Sequence, residues 1–245
     1  MSIYTKKGDT GTTVIGGIKE SKSSVTSNLV GTIDELHVQI GKCYYTTVST
    51  TESQSTVAKD MLMLIANALI NLGSVVHYLK QRDSENVKKY TEQGYFTECV
   101  KNMESEIDRL QSQLPKLTSF LVFLPNKEGT MVFHEARTTT RRTERQFSEW
   151  SNNILSSYYT IEDEAKKKFD RSLNDRILKN IYEETKTESE TALSSIVNIQ
   201  SFLNRLSDYL YMLARNHEQC DMTRENIYEQ ASRKVQLGLL NDKDI

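Results

Sequence analysis

Apolar side chains recur every three or four residues along most of the chain. Leu29, Ile33, Leu36, Ile40 and Tyr44 share one helical face. A second apolar helix is predicted over about Val57 to Leu79, carrying Met61, Ile65, Leu69 and Leu72. A third carries Val100, Met103, Ile107, Leu110 and Leu114. Pro115 ends it, since its ring clashes with the preceding turn and it has no N–H to donate. Phe120 to Gly129 reads as a connector, and a fourth helix follows from about Thr130 to Trp150. A fifth carries Ala192, Ile196, Ile199, Leu203, Leu206, Leu210 and Leu213, the heptad-like seam of a left-handed bundle. Pro115 and Pro125 are the only prolines, so long stretches run without a helix breaker. The pattern predicts an all-α fold.

Two segments depart from this periodicity. Gly8, Gly11, Gly16, Gly17 and Gly31 crowd the start, and the first 26 residues read as an ordered glycine-rich loop. Ser151 to Thr187 is rich in Lys, Asp, Glu and Asn and reads as a mobile or loosely helical excursion inserted at about 151–187. The last 30 residues read as a short helix and a tail. One domain spanning 1–245 accommodates the whole pattern.

Composition narrows the function classes. A formal net charge of -2 gives no global bias towards nucleic acid or membrane. No run of about 18 consecutive apolar residues occurs, so no transmembrane helix is expected. Cys43, Cys99 and Cys220 are odd in number and far apart, which argues against a disulfide framework or zinc site and for a reducing, cytoplasmic setting. His37, His77, His134 and His217 show no metal-ligand spacing, and they read as structural histidines.

Four stretches carry candidate chemistry. In Thr5-Lys6-Lys7-Gly8-Asp9-Thr10-Gly11-Thr12-Thr13, glycines permit backbone N–H groups to converge on an anion, and hydroxyls and lysines add donors and charge. An ordinary polar turn would look the same. Arg137, Arg141, Glu144 and Arg145 share a face of the fourth helix. They stand where a bundle helix should show an apolar stripe. Arginines turned towards a bundle interior or a subunit interface need an anionic partner such as a triphosphate, with Glu144 orienting a guanidinium or reaching a ribose. A solvated charged face is the alternative. Asn204, Ser207 and Asp208 flank the apolar seam of the fifth helix, and Asp34 is free to pair with an arginine of another helix or subunit.

Together these stretches resemble the PduO-type ATP:cob(I)alamin adenosyltransferases. Thr5 to Thr13 is similar to the family's T-x-x-G-D-x-G-T-T. Gly31-Thr32-Ile33-Asp34-Glu35-Leu36-His37 is similar to its G-T-V-D-E-L-N. Ala136, Arg137, Arg141, Arg142, Glu144 and Arg145 match A-R-x-x-x-R-R-x-E-R, and Leu203 to Leu210 matches L-N-R-L-S-D-Y-L. The resemblance implies a five-helix, ferritin-like bundle with an N-terminal phosphate-binding loop, a homotrimer with sites between subunits, and transfer of the 5′-deoxyadenosyl group of ATP to cob(I)alamin. It implies magnesium with the ATP and cobalamin as the second substrate. Thr5, Gly8, Asp9, Gly11, Thr12 and Thr13 would wrap the triphosphate, and Lys22 matches the family's lysine after the glycine pair. Arg137 would pair with Asp34, Arg141 would contact phosphate, and Glu144 and Asn204 would complete the nucleotide site.

The corrin side departs from the pattern. His37 stands where the family has Asn, and Thr26 and Asn28 replace an Arg and a Glu. Pro125-Asn126-Lys127-Glu128 replaces P-G-G-S, and the family's ligand-displacing aromatic falls on Val122. A homologue that binds ATP as a sensor or partner module, without turnover, is the alternative.

Overall fold

The structure, a computed structural model, describes residues 4, 6, 8–48, 55–91, 95–116, 127–172 and 175–218. Among these, five long helices form the bundle: α1 Val25–Val48, α2 Ser55–Gln81, α4 Tyr95–Gln113, α5 Glu128–Asp170 and α6 Arg176–Glu218. A short helix, α3 Ser84–Thr91, bridges α2 and α4. The glycine-rich start holds an antiparallel hairpin, β1 Thr12–Ile15 and β2 Ile18–Ser21. The predicted bundle is therefore present, with a hairpin where a loop was expected and an extra short helix. The expected C-terminal helix and tail lie outside the described residues beyond Glu218.

The core is one continuous apolar cluster. Leu29, Leu36 and Ile40 of α1 meet Leu62, Ile65 and Leu72 of α2, with Met103 of α4, Phe147 of α5 and Phe202 and Leu206 of α6. The α1 seam turns inward through Cys43 and Thr47, leaving Tyr44 exposed rather than buried. Burying a side chain of Leu or Phe size contributes roughly 1.5–3 kcal/mol. On α5 the inward stripe is Phe133, Ala136, Thr140, Thr143 and Phe147. Thr140 donates its hydroxyl to the Ala136 carbonyl at 2.8 Å, and Thr143 to that of Thr139 at 3.0 Å. Their polar groups are thus satisfied within the helix, and their methyls pack as apolar surface.

Thr56–Gln81 of α2 contains no unbroken run of 18 apolar residues, but by length and average composition it is apolar enough to cross a membrane, with a mean hydropathy of 1.6 in its most apolar window. Scattered Asn, Ser and Gly residues break its apolar runs, and the aliphatic residues around them keep the average high. Its inward side chains, Leu62, Ile65, Leu69, Leu72 and Val76, are buried in the bundle core.

The polar segment after Trp150 is helical. α5 continues through it to Asp170, and α6 starts at Arg176 with Asp175 as its cap, Oδ1 accepting from the N–H groups of Ile177 and Leu178 at 2.9 and 3.2 Å. Its first turns belong to the core. Tyr158 is buried and donates to the Leu79 carbonyl at 2.9 Å, and the Arg82 guanidinium sits 4.0 Å from the Tyr158 ring centre. Arg82, held at φ 58, also bonds Glu188 of α6 at 2.7 Å. Beyond this clamp most side chains are exposed, Ala165 is buried between the arms, and Phe169 stacks on Tyr182 across them. Replacing residues 162–184 by a short Gly/Ser linker should leave the bundle's melting temperature close to that of the unaltered protein. A cut over 155–185 removes Tyr158 and should cost about 3–5 kcal/mol by denaturant unfolding.

Candidate functional site

Two clusters hold the residues singled out by the sequence. The first is the open end of the hairpin. A two-residue I′ turn needs positive φ at both positions, and Gly16 and Gly17 supply 59° and 73°. Thr12-Thr13-Val14-Ile15, β-branched throughout, pairs with Ile18–Ser21 in the register Thr12 to Ser21 and Thr13 to Glu20. At the other end Gly11, at φ 75, accepts from the Lys22 N–H at 2.9 Å, and its own N–H reaches the Gly8 carbonyl at 3.2 Å. A Cβ on Gly8 would stand 3.0 Å from Lys22 Nζ, so the ammonium lies directly over the Gly8 backbone. Gly8, Gly11, Thr12 and Lys22 are thus gathered at one turn, with Asp9 and Thr10 on its rim and Thr13 further along β1. Thr5 lies outside the described residues.

The hairpin is docked by contacts the sequence did not suggest. Gly16 donates its N–H to His77 Nδ1 of α2 at 3.1 Å. A Cβ there would stand 2.6 Å from Lys80 Cβ and 2.9 Å from the His77 carbonyl, so only glycine fits. Lys80 Nζ bonds Glu20 at 2.8 Å and the Thr26 hydroxyl at 3.3 Å. Burial by itself would raise the Glu20 carboxyl, but hydrogen bonds from Lys80, Ser24 and Thr26 and the Lys80 charge outweigh it and hold the group below the usual carboxylate range.

The second cluster is the groove between α5 and α6. Asn204 donates to Glu144 at 3.3 Å, and Arg145 donates to the Arg141 carbonyl at 3.1 Å. Arg141 is exposed and Arg137 half-buried. Burial and the neighbouring Arg141 charge lower the Arg137 pKa, so two cations stand close together on this face of α5. The arginines do not point into the core. They flank it, because the inward stripe is the Thr and Ala row. The opposite flank of α5 faces α1, where Arg142 pairs with Glu35 and Thr32 bonds Gln146. Asp34 is exposed on the outer face of α1, and no ion pair reaches it among the described residues. The structure therefore does not join Asp34 to Arg137 within one chain.

A third cluster escaped the sequence reading. Thr130 bonds His217 Nδ1 at 3.0 Å and donates to Glu218 at 2.7 Å, while Lys127 caps the His217 carbonyl at 2.8 Å. The ring lies against Gly129, where a Cβ would be 2.7 Å from Cε1. His37 is half-buried on α1, whereas Val122, Pro125 and Asn126 lie outside the described residues. Among the described residues no three His, Cys, Asp or Glu side chains converge as metal ligands. Cys43 and Cys99 are free and buried, and burial pushes both thiols up to about 12.

The helical bundle with this hairpin and groove defines a known fold class. Over 89% of this chain and 94% of the other, it is similar to a variant PduO-type ATP:corrinoid adenosyltransferase from Lactobacillus reuteri complexed with cobalamin and ATP, with a TM-score of 0.59 at 23% identity. The Cobalamin adenosyltransferase family profile matches residues 3–174, and the chain belongs to that family. A corrinoid adenosyltransferase of Citrobacter freundii is 32% identical over 172 residues, 69% of this chain and 87% of its own. The human corrinoid adenosyltransferase MMAB is 29% identical over 227 residues, 92% of this chain and 72% of its own.

His134, beside Arg137 on α5, supplies a pH dependence. Burial first, and then the Arg137 charge, pull its pKa down to about 4 from 6.5. The unfolded chain therefore binds a proton before the folded one does. Stability from this group is complete above pH 6.5 and is lost as pH falls towards 4, with a slope of at most about 1.4 kcal/mol per unit. His134→Gln should flatten that part of the stability profile measured by urea unfolding between those limits.

Proposed function

We propose that this chain transfers the 5′-deoxyadenosyl group of ATP to cob(I)alamin, giving adenosylcobalamin and triphosphate. The cationic α5/α6 groove, in a chain of this family, carries the reading. Cobalt(I) is the nucleophile. Its electron pair forms the Co–C5′ bond, the C5′–O bond breaks, and the triphosphate leaves with that bonding pair. No protein nucleophile or strong base is required, so the residues need only position the reactants and hold the leaving charge.

The roles proposed for the residues rest on the family motifs and on the chemistry of the side chains. Gly8, Asp9, Gly11, Thr12 and Thr13, with Lys22 over Gly8, wrap the triphosphate, and Thr5 joins them by the family motif. Arg141 contacts phosphate, and Glu144 with Asn204 completes the nucleotide site. Magnesium, which the family resemblance implies, would enter with the ATP and neutralise part of the triphosphate charge. Hairpin and groove lie on different flanks of one chain, as do Asp34 and Arg137. A homotrimer joins the hairpin of one copy to the groove of the next and pairs Asp34 with Arg137 across the boundary. A reducing compartment, the cytosol by the sequence reading, suits the buried free thiols.

Incubating the protein with reduced cobalamin and magnesium ATP, and following adenosylcobalamin by its absorbance, tests the reading; no product would refute it. Arg141→Ala should lower the transfer rate by about 10²–10³-fold, some 3 kcal/mol of leaving-group stabilisation. Helical circular dichroism should stay unchanged, and a near-normal rate would remove Arg141 from the site. Asp34→Ala leaves an uncompensated arginine at the boundary, at a cost of about 3–5 kcal/mol. Sedimentation should show trimers shifting to smaller species in that variant. A monomeric unaltered protein would defeat the assembly.

A further inference from the structure

We infer that His77 and Lys80, on the last turns of α2, are positioning residues for the triphosphate loop. The inference rests on the adenosyltransferase reading and adds residues that lie outside the hairpin and the groove. The loop is only one turn long, and exposed glycines give it little stiffness of its own. Its geometry is inherited from the hairpin ladder, whose far end would fray without an anchor.

Two contacts supply that anchor. The Gly16 N–H, at the hairpin tip, donates to His77 Nδ1 at 3.1 Å, which requires an unprotonated Nδ1. Glu20, opposite Thr13 in the ladder, is held by Lys80 at 2.8 Å in a nearly buried pair, with side chains 14% and 10% exposed. Lys80 also reaches the Thr26 hydroxyl at the start of α1. The anchor itself is braced, because Tyr158 of α5 bonds the Leu79 carbonyl and Arg82 clamps Tyr158 and Glu188. From this platform the ladder carries the loop to where Lys22 covers Gly8. Losing one anchor contact should loosen the loop and not the bundle. ATP affinity should fall while the chemical step and corrinoid binding persist.

The test compares His77→Phe, His77→Asn and Lys80→Met with the unaltered protein. ATP binding is measured by calorimetry, cobalamin binding by absorbance, and KM and kcat by adenosylcobalamin formation. Amide exchange is followed in β1 and β2. His77→Phe and Lys80→Met should each weaken ATP binding and raise its KM about five- to tenfold, the worth of a hydrogen bond or close pair. Exchange in the hairpin should quicken, while kcat, cobalamin affinity and exchange in α4 and α6 stay within twofold. Asn at 77 offers an acceptor oxygen and should restore most of the ATP affinity. Unchanged ATP affinity in both His77→Phe and Lys80→Met would overturn the inference. So would equal losses of ATP and cobalamin binding, or an Asn variant no better than Phe. If the unaltered protein binds no ATP, the adenosyltransferase reading fails first and the positioning role falls with it. ATP binding that survives in the unaltered protein but ignores both variants rejects the positioning role alone.

Discussion

Helix α5 must satisfy the core and two neighbouring helices at once, and the rest of the site depends on how it does so. Its inward row is small, with Ala136, Thr140 and Thr143 fully buried. The threonine hydroxyls bond their own helix, so α1 and α6 pack against this row without meeting an unsatisfied hydroxyl. One flank is taken by α1 through Arg142 and Glu35, the other by α6 through Glu144 with Asn204 and Ser148 with Gln200. Arg137 and Arg141 are left on the α6 flank with nowhere inward to turn. A bulky apolar stripe in place of the threonines would push the helices apart and open the groove.

The same arrangement divides the site. The hairpin packs on α1 and α2, the arginines on α5 and α6. Each half holds part of what a triphosphate requires: backbone N–H groups and an ammonium on one side, guanidinium groups on the other. A leaving group with several negative charges is best held from both sides, and within a single chain the hairpin docks on α2 while the arginines lie on α5 beside α6. On the proposed reading, association of copies would complete the site and would give Asp34, exposed and reached by no ion pair among the described residues, a partner.

Much of this was legible in the sequence because the seams of α4 and α6 are aliphatic and strictly periodic. The arginine row was equally plain, but its direction stayed open between bundle interior, subunit interface and solvent, because a Thr and Ala stripe has no hydropathy signal to mark the inward face. The hairpin was hidden by its brevity, since Thr12–Ile15 is too short to display alternation beside so many glycines. Gly16-Gly17 between β-branched runs was the signal that could have revealed it. Composition also disguised the polar segment after Trp150, where Tyr158 joins the core and the helices simply continue. The anchoring of the hairpin by His77 and Lys80 was beyond reach, because residues about 60 positions apart meet only through the fold.

The central claim, a site shared by two copies, has a direct measurement. Lys22→Ala disables the hairpin half and Arg141→Ala the groove half, and each variant by itself is expected to be nearly inactive. Subunits of the two variants are mixed by co-expression, the mixed assemblies are isolated by distinct tags, and adenosylcobalamin formation is measured. Sites between copies predict recovery, because about one boundary in three of a mixed trimer joins an intact hairpin to an intact groove. Mixed assemblies as inactive as either parent would contradict the account.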